Sequence, residues 1–271
     1  MPKVWVNGER HHRLDPLDRG LAYGDGLFAT MRIVNGSIAF LSEHLVRLSQ
    51  GAKRLGMPWS ASNQLVLQLE ELAGVETRGC IKLLLSRGCG GRGYAAPEFC
   101  DVTEVVSVHG FPRHYKHWQQ AGIAITTSPI RLSTQPRLAG IKHLNRLEQV
   151  LIKSEPIVEG YDDWLVLDAR NDVVESSMAN LFFVNGTQVV TPSMSLSGVA
   201  GIMREQMIYA LIDLGFELEA RPIAHSGLSQ FQHAFMTNSL IGLIDINKID
   251  DLDYAQAPFT QTLRRNLHLI L

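Results

Sequence analysis

No apolar stretch approaches the roughly 20 residues that a bilayer-spanning helix needs, so no membrane partner is expected. The opening residues, MPKVWVNGERHHR, lack the apolar core of a secretory signal, which argues against export. Cysteine is scarce. Cys80, Cys89 and Cys100 form no CxxC pair, so a disulfide framework or structural zinc is excluded and a reducing, cytoplasmic compartment is expected. Neither charge dominates: 25 basic and 27 acidic residues give a net charge of −2 and no basic stripe, so no nucleic-acid partner is expected. There is no G-x-S-x-G elbow, no repeat of fixed period and no metal spacing among the ten histidines, since His11-His12 are adjacent and His114 and His117 stand without a carboxylate or cysteine nearby. What is present is an ordinary globular balance, 45% apolar and 19% charged, over 271 residues. That is enough for one large domain or two modest ones.

Strand and helix patterns are interleaved. Asn7-Gly8, Asn35-Gly36 and Asn185-Gly186 each sit between β-rich flanks and suit type I′ hairpins, which need positive φ at both central residues. Leu41, Leu45, Leu48, Ala52 and Leu55 share one helical face, with Ser42 placed to cap and Gly56 to terminate. A second helix is expected over 63–73. Strands are expected over 80–86, 102–108, 122–128, 164–168, 181–184, 188–191, 216–220, 233–237 and 243–249. Further helices are expected over 144–155, burying Leu144, Leu147, Val150 and Leu151, over 202–214, and after Pro258. Without a regular βαβ rhythm the class is α+β. The proline-bearing stretch 110–137 divides the chain into a smaller N-terminal domain, 1–115, and a larger C-terminal one, 116–271.

Residues 88–93, GCGGRG, match G-x-G-x-x-G literally and follow a strand. A dinucleotide site also needs a helix to start there, so that its amides meet the pyrophosphate. Tyr94-Ala95-Ala96-Pro97 leaves no room for one, and no acid stands at the end of the next strand. A loop that offers Arg92 and Tyr94 to a substrate is the better reading.

Lysine is used sparingly, seven against eighteen arginines. Lys142 lies between Gly140 and the apolar start of the expected helix. There the positive end of a helix dipole would favour a neutral amine, the form that Schiff-base chemistry requires, although a solvated lysine is the ordinary reading of such a position. Glu175 follows Val173-Val174 and could pair with an arginine or amide, or hold a proton on a pyridine nitrogen. GVAGIMREQ at 198–206 reads either as a glycine-rich turn or as a helix start whose amides bind an anion. Thr237-Asn238-Ser239 closes an apolar strand with short hydrogen-bonding side chains. Arg47 lies off the apolar stripe of its helix, so it is either a surface residue or a phosphate ligand.

Taken in order, AYGDGLFATMRI, HLVRL, SRGCGGRGY, AGIKHLNRLEQVL, VVESSMANLFFV, GVAGIMRE and MTNSLIG resemble the fold-type IV pyridoxal-phosphate enzymes, over residues 20–245 or so. That family includes branched-chain and D-amino acid aminotransferases and aminodeoxychorismate lyases, and KHLNRLEQVL with RGCGGRGY resembles the lyase branch. The resemblance implies two α+β domains with pyridoxal 5'-phosphate in the cleft between them, and a homodimer. It implies that Lys142 is the Schiff-base lysine, that Glu175 partners the pyridine nitrogen, and that Asn180 orders the site near the ring. Arg47, the amides of Gly201 and Ile202, and the Thr237-Asn238 turn would hold the phosphate. Arg92 and Tyr94 would meet the carboxylates of a substrate such as aminodeoxychorismate.

Overall fold

A computed structural model describes residues 3–11 and 13–271. Packing divides the chain into two compact units, Met1–Phe111 with Ile141–Asn145, and Pro112–Gly140 with Arg146–Leu271. The chain therefore crosses to the second unit at Phe111/Pro112 and returns to the first for one short segment.

The first unit contains β1 (Lys3–Val6), α1 (Arg19–Tyr23), β2 (Gly26–Val34), β3 (Ser37–Ile38), α2 (Leu41–Leu55), α3 (Asn63–Gly74), β4 (Arg78–Ser86) and β5 (Thr103–His109). Its antiparallel sheet runs β1-β5-β4-β2-β3. Strand alternation decides its faces. Leu27, Ala29, Met31 and Ile33 of β2, with Ile81, Leu83 and Leu85 of β4, point to one side and bury against Leu48 and Ala52 of α2 and Leu65, Leu69 and Ala73 of α3. Each fully buried aliphatic side chain here contributes about 1.5–3 kcal/mol. Asn7-Gly8 and Asn35-Gly36 both take positive φ at their two central residues, as expected of type I′ turns. Ser62 caps α3 by accepting from the Leu65 amide. Ser42 does not cap α2: the cap position falls on Phe40, in the left-handed region, and Ser42 lies inside the helix.

The second unit contains α4 (Tyr115–Ala121), β6 (Ile123–Thr127), α5 (Leu147–Ser154), β7 (Asp163–Leu167), β8 (Val173–Ser176), β9 (Asn180–Asn185), β10 (Gln188–Pro192), α6 (Ile202–Asp213), β11 (Glu217–Arg221), β12 (His233–Asn238), β13 (Gly242–Ile249), β14 (Leu252–Asp253) and α7 (Thr260–Asn266). Eight strands run β11-β10-β9-β12-β13-β6-β7-β8, and β14 pairs β13. The centre of this mixed sheet is apolar on both faces, with Leu181, Phe182, Phe183, Phe235, Met236, Leu243 and Ile244 all buried, as a sheet covered on two sides requires. The turn after β9 differs from expectation. Asn185 pairs with Gln188, so Gly186-Thr187 form the loop and only Gly186 has positive φ, as in a type II′ turn.

Helix α5 overturns an expectation as well. It starts at Leu147 rather than Leu144, and the residue it buries is Ile152, which packs on Leu132, Trp164 and Val166. Leu147 is 77% exposed, and Val150 and Leu151 are also exposed, so the leucine stripe faces outward. Periodicity marks the apolar residues of a helix but does not say which of them the fold covers. Mixed sheets with helices make the chain α+β. No helix among the described residues is long and apolar enough to cross a membrane.

Candidate active site

The structure places Lys142 in a strand-like segment rather than at a helix start, because α5 begins only at Leu147. The dipole argument for this lysine therefore falls. Its position comes from β2 instead. The Phe28 amide donates to the Lys142 carbonyl at 3.0 Å, the Leu144 amide donates to the Gly26 carbonyl at 3.0 Å, and Leu27 pairs with His143. Alternation along this added edge puts Ile141 into the apolar core and sends Lys142 to the opposite face, where its Nζ lies 4.5 Å from the centroid of the Phe28 ring. Ile141 is thus an anchor that fixes the register of its neighbour. Helix α2 comes close beneath it because position 51 is glycine: a Cβ there would stand 3.1 Å from Leu27 Cδ1 and 3.7 Å from Ile141 Cγ2.

The same helix carries Arg47. Its Nε is shut off from solvent and has no hydrogen-bond partner among the described residues. Burial pushes this guanidinium down to about 10. Arg47 is thus partly buried, with its Nε enclosed by packing that a helical wheel does not show. Two other buried arginines of this unit, Arg19 and Arg87, are oriented by a carboxylate. Arg19 and Arg87 both donate to Asp25, at 3.0 and 2.7 Å, and Arg87 also donates to the carbonyls of Leu55 and Gly56. Burial alone would raise the Asp25 carboxyl. Hydrogen bonds and charge from Arg87 and Arg19 outweigh it and hold the group below its ordinary value.

Arg19 also organises the loop after β4. Its guanidinium donates to the carbonyls of Gly90, Gly93, Tyr94 and Ala95 at 3.1–3.3 Å. No helix follows GCGGRG, in accord with rejection of a dinucleotide site. Arg92 is exposed and Tyr94 is 88% exposed, its ring edge-on to Tyr23 at 5.4 Å. Sequence reasoning had passed over Arg19 and Asp25, and the signal was modest: two arginines flank the loop and one acid sits in YGDG.

In the second unit the expected residues converge. Glu175 lies on β8 opposite Val166, and its Oε2 accepts from the Val199 amide at 3.0 Å. Asn180 opens β9, donates to the Val199 carbonyl at 2.8 Å and accepts from the Gly201 amide at 3.1 Å. Two side chains thereby grip one turn, and Gly140 pairs with Val199 on its other side. Gly201 is the N-cap of α6 and Ile202 its first residue. A Cβ at 201 would stand 2.2 Å from Asn180 Oδ1, so only glycine brings the backbone this near. Thr237 pairs with Asn180 across β12 and β9. Asn238 donates to the Met178 carbonyl and accepts from the amides of Leu240 and Ile241, which shapes the turn. Of the two amides expected to face a phosphate, Gly201's donates to Asn180. Arg146, missed in the sequence, stands close enough to Glu175 and Glu148 for their charge to oppose the downward pull of burial on its guanidinium. Among the described residues no group of histidine, cysteine or acid side chains could hold a metal.

Residues 26–249 match the family described as amino-transferase class IV. The chain belongs to that family. It is 34% identical to the aminodeoxychorismate lyase of Vibrio harveyi, over 97% of this chain and 99% of that one. It is 28% identical to the D-alanine aminotransferase of Bacillus licheniformis, over 92% and 88% of the two chains. Among solved structures, the 4-amino-4-deoxychorismate lyase of Pseudomonas aeruginosa superposes with a TM-score of 0.92 at 34% identity, covering 99% of this chain and 100% of that one. The fold-type IV architecture implied by the motifs is therefore the architecture of this chain.

Proposed function

We propose that this protein converts 4-amino-4-deoxychorismate to 4-aminobenzoate and pyruvate, a step toward folate, with pyridoxal 5'-phosphate as cofactor. The full-length likeness to the Vibrio harveyi lyase carries this reading. The residues present fit the cofactor. A buried guanidinium nitrogen without a partner suits a phosphate, and a glycine-bounded turn at the start of α6 suits its oxygens. Bound pyridoxal phosphate supplies an electron sink for the carbon next to the substrate amine.

Lys142 would carry the cofactor. Once released, it would act as the base that takes the proton from the ring carbon bearing the amine, a role for which its side chain must be freed from other duties. The same amine, reprotonated, would deliver a proton to the departing enolpyruvyl group, and loss of that group leaves the ring aromatic. Glu175 would hold the proton on the pyridine nitrogen while its other contact, to the Val199 amide, keeps it oriented. Arg47, the Ile202 amide, Thr237 and Asn238 would bind and orient the phosphate, with Asn180 holding the Gly201 amide and fixing the turn. Arg92 and Tyr94 would meet the substrate carboxylates.

The protein is proposed to act in the cytoplasm as a homodimer. The exposed Leu147, Val150 and Leu151 support an apolar contact that a second copy would cover. A second reading, an aminotransferase on the same scaffold, is favoured by aminotransferase relatives such as those of Methanocaldococcus jannaschii and Bacillus licheniformis, at 29% and 28% identity against 34% for the Vibrio harveyi lyase. Purified protein given 4-amino-4-deoxychorismate should release 4-aminobenzoate. Rapid amino transfer from an amino acid to 2-oxoglutarate without that release would overturn the lyase reading.

A further inference from the structure

His44 takes no part in the chemistry above, yet it is the most secluded titratable side chain near Arg47. It is 0% exposed, and neither ring nitrogen has a hydrogen-bond partner among the described residues. Buried polar groups are nearly always paired, and leaving one unpaired carries a cost that calls for a reason. Three positions along α2 stands Arg47, whose Nε is buried and equally without a partner. Side chains at i and i+3 of a helix are neighbours. One is a donor, and a neutral imidazole offers one acceptor nitrogen, so the two unmatched groups are complementary.

We propose that His44 is a positioning residue for the phosphate-binding arginine, its acceptor nitrogen taking the Nε–H of Arg47 when an anion draws the guanidinium into place. This rests on the cofactor reading given above. The contrast with Arg19 and Arg87 supports it. Those two are oriented by the carboxylate of Asp25, which also neutralises them. A carboxylate at position 44 would compete with a phosphate for Arg47, whereas a neutral acceptor orients the guanidinium and leaves its charge for the ligand. Burial, with the positive charges of Arg47 and Lys142, pushes His44 down to about 3, so the acceptor lone pair stays available at working pH.

The test compares pyridoxal phosphate with pyridoxal, which lacks the phosphate. Apoprotein is titrated with each, and binding is followed by the visible absorbance of the cofactor. The wild type should favour the phosphorylated form strongly. His44→Leu should lower that preference on the order of tenfold, the worth of one lost hydrogen bond, with pyridoxal affinity unchanged. His44→Gln, which keeps an acceptor, should restore most of it. Equal losses for both ligands, or an unchanged preference in a folded His44→Leu, would overturn the proposal. Should His44→Leu fail to fold, the wild type decides: a ring-nitrogen ¹⁵N resonance of His44 should shift on adding pyridoxal phosphate but not pyridoxal, and no shift would count against it. Failure of the wild type to bind either form would defeat the cofactor reading itself.

Discussion

In the second unit Glu175, Asn180 and Asn238 all commit side-chain atoms to neighbouring backbone, whereas in the first Arg47 and His44 keep buried nitrogens without hydrogen-bond partners among the described residues. The difference separates two ways of preparing a site. One region is prebuilt, its acceptors and turns locked by hydrogen bonds that exist before any ligand arrives. The other holds a desolvated cation, Arg47, for which the cofactor phosphate is the proposed partner. Binding should therefore reorganise the second unit little and stabilise the first more, because a ligand that satisfies a buried donor stabilises the folded state by mass action.

Substitutions can break or sharpen this contrast. Glu175→Gln should have the largest effect, lowering turnover roughly a hundredfold, the scale of one catalytic proton-holding group. Its carbonyl can still accept from Val199, so thermal unfolding should move little, and a large fall in melting temperature would make Glu175 chiefly structural. Arg47→Ala should weaken pyridoxal phosphate binding about tenfold to a hundredfold, as loss of a charge-assisted hydrogen bond does. Because it removes a buried unmatched nitrogen, apoprotein stability should hold or rise; clear destabilisation in denaturant would contradict the primed reading of the first unit. Gly201→Ala should cost about 1–3 kcal/mol, since its Cβ would displace Asn180 Oδ1. A neutral result in denaturant titration would show that the prebuilt turn can yield.

Asp25 gives the smallest effect and concerns the first unit's satisfied arginines. Its folded value lies below the ordinary one, so its contribution is fully present above the unfolded carboxyl range near about 4 and is lost as pH falls through the folded value. Asp25→Asn should flatten that acid dependence in denaturation measured from pH 6 downward. An unchanged slope would remove Asp25 from the account.

Much of this was legible in the sequence. The α+β class, most strands and two of the three expected type I′ hairpins followed from alternation and Asn-Gly turns, and Glu175, Asn180, Gly201 and Thr237 were named beforehand while Arg146 was not. What could not be read were directions and partners. Leu147, Val150 and Leu151 made a convincing core stripe, and the fold buries Ile152 instead. Lys142 was expected at a helix start, and an edge pairing with Gly26–Phe28, distant in sequence, positions it instead. Arg47 stayed open between surface residue and phosphate ligand because helical phase carries no information on what packs above the helix, and the role of Arg19 depends on four carbonyls more than seventy positions away.

The central claim is that Lys142 carries the cofactor, and it can be tested by borohydride reduction of the pyridoxal phosphate-loaded protein followed by peptide mass mapping. A pyridoxyl adduct on the peptide containing Lys142, absent from Lys142→Ala, is the predicted result; an adduct on one of the other six lysines, or no adduct at all, would contradict the account.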